Sequence, residues 1–311
     1  MSDRIFHVLI KEICKELNIS VKTLSFGWIL ELSRENKIFH ITGNRFDINP
    51  EASGLILCDK YATYEILKSN NIPVIEHKMV FNPKTRKEFI TSEMAWNSIE
   101  SYFNINKKLV VKPNSGCEGL GVYYCTSLEQ LRQKIGFLFK RNDSISLCPF
   151  YKIETEYRIF YLNGCCELIY GKIPPFVIGD GINCVKKLIE LLNLPNNKIV
   201  KDNLNMLDLN YIPKIGEKID ISWKFNLSGG AVPFILKNSS LKNELESLAK
   251  KVAKLLNINF ATIDIIKTVN DELYVMEANS GICMTNFINH IPGGYNIAKN
   301  IYSKALKSIF D

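Results

Sequence analysis

Two apolar runs lie close together near the C-terminal end, FATIDII (260–266) and LYVMEANSG (273–281), with only a short turn-like stretch around VNDE between them. Such a pair is expected to fold as an antiparallel hairpin whose strands are buried against the rest of the molecule. Each run carries an anomaly. Asp264 interrupts the first, and Glu277 and Asn279 end the second, two apart and so on one face of a strand. An ionised carboxylate is expensive to bury unless a positive group compensates it. Asp264, Glu277 and Asn279 can converge on one sheet face as three hard oxygen ligands, a donor set that suits Mg²⁺ shared with phosphate oxygens. The alternative is a strand that simply reaches the surface, with Asp264 as a structural hydrogen-bonder.

A metal that works with phosphates calls for phosphate donors elsewhere. LVVKP, Leu109 to Pro113, reads as a strand ending in Lys112, and the loop NSGCEGLGV follows it at once. Its Gly116, Gly119 and Gly121 let backbone N–H groups turn toward an anion. The loop matches neither the P-loop pattern nor a dinucleotide-binding fingerprint. Lys60 and Lys172 are further candidate phosphate ligands, although a single lysine is equally well a solvated surface residue.

Composition narrows the class. With 311 residues, 46% hydrophobic and 23% charged, the chain can bury a sizeable core as an ordinary globular protein. No apolar run approaches membrane-spanning length, and MSDRIFHVLIKEICKEL reads as an amphipathic helix with acidic residues and not as a signal peptide. The net charge of +7 is spread along the chain and mixed with acids. It points to no nucleic-acid groove and suits anionic small molecules. Nine cysteines without a CxxC pair imply free thiols in a reducing cytoplasm. Neither Cys117 nor Cys283 is expected to take part in chemistry.

The first 58 residues alternate helix-like and strand-like pieces (IKEICKEL, KIFHIT, GLILC) and suggest a small α/β lobe. A helix over YATYEILKSN opens a second region, 59–148, and the remainder, 149–311, is richer in strand signals. YRIFYL and CELIYGK flank Asn163-Gly164, a favoured two-residue hairpin turn. VKKLIELLN reads as a short helix after GDG. The clearest helix spans Leu241 to Asn257, with Leu241, Leu245, Leu248, Val252 and Leu255 as its apolar stripe. Antiparallel strands and helices without strict βαβ alternation indicate an α+β fold.

Taken together, DKYATYEILKSNNIPV, VVKPNSGCEGLGV, EYRIFYLNG, PPFVIGDGINCVKKLIELLN, NLSGGAV, ATIDII and MEANSGICM resemble, in order, the motifs of the ATP-grasp superfamily of carboxylate–amine ligases. The likeness runs from about Asp59 to Ser280. It is strongest to the ATP-grasp domains of cyanophycin synthetase and bifunctional glutathione synthetase, and more distant to D-alanine–D-alanine ligase. The resemblance implies two α+β lobes clasping ATP. Lys60 and Lys112 then match lysines at the ATP phosphates, and Ser115, Gly116, Gly119 and Gly121 belong to the flap over them. Backbone groups of Phe150, Tyr151 and Lys152 match the adenine-selecting segment, and Glu156 an acid for the ribose hydroxyls. Lys172 matches a basic residue reaching the γ-phosphate region, while Arg158, Asn226, Gly229 and Gly230 match positions near the acyl phosphate and substrate. Asp264, Glu277 and Asn279 match magnesium ligands.

The sequence departs from that pattern in three places. Pro149 stands where the family usually has an acid, NSGICMTNF lacks a proline, and Thr262 replaces an arginine of some relatives. The expected activity is an ADP-forming ligase that joins a carboxylate to an amine, on amino acids or a small peptide, with ATP and Mg²⁺. Related ligases are often dimers, so the resemblance carries a homodimer as its expectation. The alternatives are a small-molecule kinase and a non-catalytic nucleotide-binding module.

Overall fold

The computed structural model of the chain describes residues 5–116, 119–192, 207–237 and 239–311. The chain opens with helix α1 (Ile5–Glu16), which turns Phe6, Leu9, Ile10 and Ile13 inward. A four-stranded antiparallel meander follows: β1 (Ser20–Leu24), β2 (Ile29–Arg34), β3 (Lys37–Thr42) and β4 (Arg45–Phe46). Connections this short can form only antiparallel hairpins, which is why the N-terminal sheet carries no parallel α/β unit. The segment GLILC lies in helix α2 (Glu51–Cys58).

Helix α3 (Lys60–Ser69) starts where the Asp59 carboxylate accepts the Ala62 amide at 2.9 Å, so Lys60 is held as its first residue. The next sheet has the order β5-β8-β6-β7, from β5 (Lys78–Phe81), β6 (Leu109–Pro113), β7 (Tyr123–Cys125) and β8 (Ser144–Pro149). Helices α4 (Ser92–Asn106) and α5 (Leu128–Leu138) cover one face of it, closing a core around Val80, Leu109, Val111, Ile145 and Leu147. Its other face carries Lys112 and Ser146, directly opposed in register.

The larger sheet is ordered β13-β10-β9-β14-β15. Its strands are β9 (Ile153–Leu162), β10 (Cys165–Ile173), β13 (Val232–Ile235), β14 (Phe260–Thr268) and β15 (Leu273–Asn279). The hairpin expected at Asn163-Gly164 joins β9 to β10, with both turn residues at positive φ (44° and 89°), as a tight primed turn requires. A two-stranded ribbon, β11 (Phe176–Ile178) with β12 (Lys218–Asp220), and helix α6 (Val185–Leu191) lie between β10 and β13. The final residue of the expected helix VKKLIELLN, Asn193, is outside the described residues. Three helices complete the chain: α7 (Ser240–Leu255), α8 (Thr285–His290) and α9 (Gly294–Phe310).

Helix α7 packs on one face of this sheet through Leu245, Leu248, Ala249, Val252 and Ala253, against Tyr157, Ile159, Ile263 and Ile265. The stripe turns away at its end. Leu255, expected on the apolar face, is exposed, and Leu256 is buried in its place. With 3.6 residues per turn, the buried set 245, 248/249, 252/253 continues to 256.

The opposite face of the same sheet is divided along its length. Phe160, Leu162, Leu168, Tyr170 and Phe260 share one core with α1, β2, β3 and α9. The N-terminal residues therefore close over half of the large sheet jointly with the C-terminal helix. Two to four residues further along those strands, the same face becomes charged: Glu156 and Arg158 on β9, Lys172 on β10 and Asp264 on β14. A half-face with this concentration of charge is the raw material of a site.

Candidate active site

The charged half-face is built by register. Arg158 stands across from Asp264, Glu156 across from Lys172, Asp264 across from Glu277, and Thr262 across from Asn279. One irregularity makes this possible. A bulge between Asp264 and Ile265 pairs them with Glu277 and Val275, leaving Met276 as the extra residue. Strict alternation would put Val275 and Glu277 on the same face. The bulge sends Val275 into the core under α7 and Glu277 to the charged side beside Asp264.

Asp264 is completely buried. Arg158 grips it with two parallel bonds, Nε to Oδ1 at 2.7 Å and Nη2 to Oδ2 at 2.5 Å. Burial pushes the Asp264 carboxyl up, but Arg158 and then Lys172, whose Nζ is 3.9 Å away, hold it below the usual carboxylate range. Lys172 is ion-paired with Glu156, and both are buried. Burial keeps the Glu156 carboxyl above the ordinary range against the pull of Lys172. Glu156, expected at the ribose, is thus engaged by Lys172. Asn279 Nδ2 donates to Glu277 Oε1 at 3.1 Å, so the Asn279 side-chain oxygen keeps its lone pairs for a cation.

Among the described residues no three His, Cys, Asp or Glu side chains group as a metal cage. The converging donors are two carboxylates and one amide, all hard oxygens. Bidentate pairing with Arg158 uses one lone pair on each Asp264 oxygen and leaves the others. The set fits a Mg²⁺ that completes its shell with waters and phosphate oxygens.

The second wall comes from the smaller sheet. Lys112 is buried near the end of β6, and Lys60 Nζ donates to the Gly116 carbonyl at 2.8 Å, tying the start of α3 to the glycine loop. The Lys60 and Tyr61 amides also donate to Asn114, Lys60 to its main-chain oxygen and Tyr61 to Oδ1. Lys60, Tyr64, His77, Glu277 and Asn279 line one small cavity, which joins the two walls. Ser115 and Gly116 are exposed at the start of the loop, and Gly119 and Gly121 adopt φ of +69°. Cys117 lies outside the described residues. A Cβ on Gly119 would come within 2.8 Å of Asn226 Oδ1, so the loop rests on the Asn226 amide. Asn226 precedes a 3₁₀ turn, Leu227–Gly229, closed by Gly230 at φ 92°.

In the segment from Phe150 to Lys152, two backbone groups are already engaged: the Phe150 amide donates to Lys108 and the Lys152 carbonyl accepts from Val269. The Phe150 ring packs against Tyr124 at 4.4 Å and Trp223 at 5.9 Å, between centroids. His77, Tyr124 and Trp223 were invisible to motif reading, because a lone histidine and scattered aromatics carry no spacing signal.

Residues 218–304 match the RimK-like ATP-grasp domain family. The glutathione biosynthesis bifunctional protein of Streptococcus agalactiae is 27% identical over 252 residues, covering 74% of this chain and 32% of that protein. Cyanophycin synthetase of Nostoc sp. is 22% identical over 280 residues, covering 82% of this chain and 29% of the synthetase. The chain thus spans about a third of the length of these curated relatives. A bifunctional glutathione synthetase structure from Pasteurella multocida superposes with TM-score 0.55 at 18% identity, covering 96% of this chain and 44% of that one. D-alanine–D-alanine ligase from Bacillus anthracis also gives TM-score 0.55 at 18% identity, covering 84% and 69%. Residues 218–304 thus match a RimK-like ATP-grasp domain, and the fold of the chain is that of the ATP-grasp ligases on which it superposes.

Proposed function

We propose that the protein is an ADP-forming ligase that joins a carboxylate to an amine, with an amino acid or small peptide among its substrates. The observation that carries this reading is the meeting of the two walls. Oxygen donors Glu277 and Asn279 share a cavity with Lys60, and Asp264 lies next to Glu277 in register. That arrangement suits a nucleoside triphosphate held between cations and a metal. The similar glutathione biosynthesis protein, cyanophycin synthetase and D-alanine–D-alanine ligase support amide formation as the outcome.

Phosphoryl transfer needs alignment and charge neutralisation more than covalent help. Lys60 and Lys112 bind the phosphates, and the glycine loop closes over them. Bound Mg²⁺, held by Asp264, Glu277 and Asn279, would neutralise charge on the phosphate oxygens. Arg158 keeps its guanidinium in one orientation through Asp264, with N–H donors left for the substrate anion. Lys172, fixed by Glu156, supplies a second cation on the same face. The substrate carboxylate attacks the γ-phosphorus and ADP leaves. The amine then displaces phosphate from the acyl phosphate. Asn226 and the turn after it, in contact with Gly119, exclude water from that intermediate.

The test is to supply ATP, Mg²⁺ and a panel of carboxylates with hydroxylamine in place of the amine. A hydroxamate with ADP and phosphate is the expected result. AMP and pyrophosphate would refute the mechanism, and a stable phosphorylated alcohol would identify a kinase. We further propose a cytoplasmic location, supported by nine cysteines without a pairing pattern, and a homodimer, which light scattering of the purified chain tests.

A further inference from the structure

The site contains a buried titratable group for which the mechanism above has no use. His77 sits at the entry to β5 and is only 4% exposed. Its Nδ1 is 2.5 Å from the Ser146 hydroxyl, and Ser146 is the register partner of Lys112. The imidazole is therefore fixed to the same sheet face that presents Lys112. Its second nitrogen, Nε2, has no hydrogen-bond partner among the described residues. His77 also stands where two cavities adjoin. One is the small space with Lys60, Glu277 and Asn279. The other is an open groove walled by Tyr64, Lys78 and Tyr102.

We propose that His77 is a further nucleotide-binding residue, donating a neutral hydrogen bond from Nε2 to an ATP phosphate oxygen between Lys60 and Lys112. This rests on the ATP-dependent reading above. A neutral imidazole offers one donor and one acceptor, and its tautomer follows its partners. The Ser146 hydroxyl can donate to Nδ1 or accept from it, whereas a phosphate oxygen beside Nε2 can only accept. A bound phosphate therefore selects the form with the proton on Nε2, and Ser146 turns to donate. Burial, followed by the charges of Lys112 and Lys60, holds the ring well below the usual imidazole range and so neutral. The neutral donor adds a directed bond without a third cation beside Lys60 and Lys112. That separates it from the two lysines, which attract an anion but fix its orientation less strictly.

The experiment measures binding of ATP, ADP and adenosine to the full chain without the second substrate, by titration calorimetry. His77→Ala is expected to weaken ATP and ADP about ten- to a hundredfold, the range for a hydrogen bond to a charged group. Adenosine, which lacks phosphates, should bind as to the wild type. His77→Gln, whose amide can donate in the same region, should recover much of the loss. Ser146→Ala should weaken ATP only a few-fold, since it loosens the ring without removing the donor. Unchanged ATP affinity in a folded His77→Ala protein overturns the proposal. So does a parallel loss of adenosine binding, which would mean general damage to the cleft, with His77→Gln checking any variant that fails to fold. A wild-type chain that binds none of the three overturns the ATP reading itself.

Discussion

The two sheets that contribute to the site treat charge in opposite ways. In the five-stranded sheet, charged groups are matched across neighbouring strands, Arg158 with Asp264 and Lys172 with Glu156, so its surface is a fixed electrostatic frame. In the β5-β8-β6-β7 sheet, Lys112 has no ion pair among the described residues, and the nearby imidazole of His77 is kept neutral. One wall is ordered by its own charges. The other presents cations beside a neutral ring and a glycine loop, and is suited to receive an anion. In the proposed mechanism, orientation and affinity therefore fall to different sheets.

That division can be tested most severely at Asp264. Asp264→Asn should lower turnover by about a hundredfold or more, since the proposed metal ligand and the anchor of Arg158 are lost together. It should also destabilise the fold by about 2–3 kcal/mol, less than for a fully enclosed pair because Arg158 keeps some solvent contact. Glu277→Gln has no such arginine to abandon. It should lose turnover with a nearly unchanged melting temperature. Equal melting temperatures for the two variants would show that the Arg158–Asp264 pair does not stiffen the frame.

Lys112→Ala, on the receptive wall, should raise the KM for ATP about tenfold or more while the protein melts as the wild type. A loss of stability comparable to that of Asp264→Asn would erase the contrast between the sheets. Gly119→Ala should reduce turnover by about five- to tenfold. The backbone there sits at φ +69° and the new methyl would press on the Asn226 amide. ATP binding measured alone should change little, and a large change would relocate the role of the loop.

The smallest effect concerns pH. The folded-state pKa of His77 lies well below 6.5, so below about 6.5 the unfolded chain takes up a proton that the folded chain refuses. Stability from this group is complete above that pH and is lost as pH falls. Between pH 7.5 and 5.5, about as wide a window as such a titration needs, wild type should lose more melting temperature than His77→Gln. Parallel curves would mean that His77 is not buried in its neutral form.

Much of the fold could be read locally. The Asn163-Gly164 hairpin, the strand ending in Lys112 and the helix beginning at Lys60 all depend on neighbours in sequence, through turn conformation and an N-cap carboxylate. The stripe of α7 was legible up to its last turn, where the 3.6-residue period carries burial to Leu256 and leaves Leu255 exposed. His77 could not be found this way. Its meaning comes from Ser146, 69 residues away, and from the lysines around it.

By itself, the sequence determined that two apolar strands would carry Asp264, Glu277 and Asn279, and that lysines and a glycine loop would accompany them. Those are properties of residue type and spacing, which local chain geometry transmits. The tertiary structure alone decided which side of the sheet these groups would use. The bulge at Met276 turns Glu277 away from Val275, a displacement that strict alternation does not contain. Helices α1 and α9 then bound the charged half-face: the core they share with the sheet reaches Phe160 and Tyr170 and does not include Arg158 or Lys172. Burial depends on what arrives from distant sequence, so the boundary between core and site is set only when those pieces pack together.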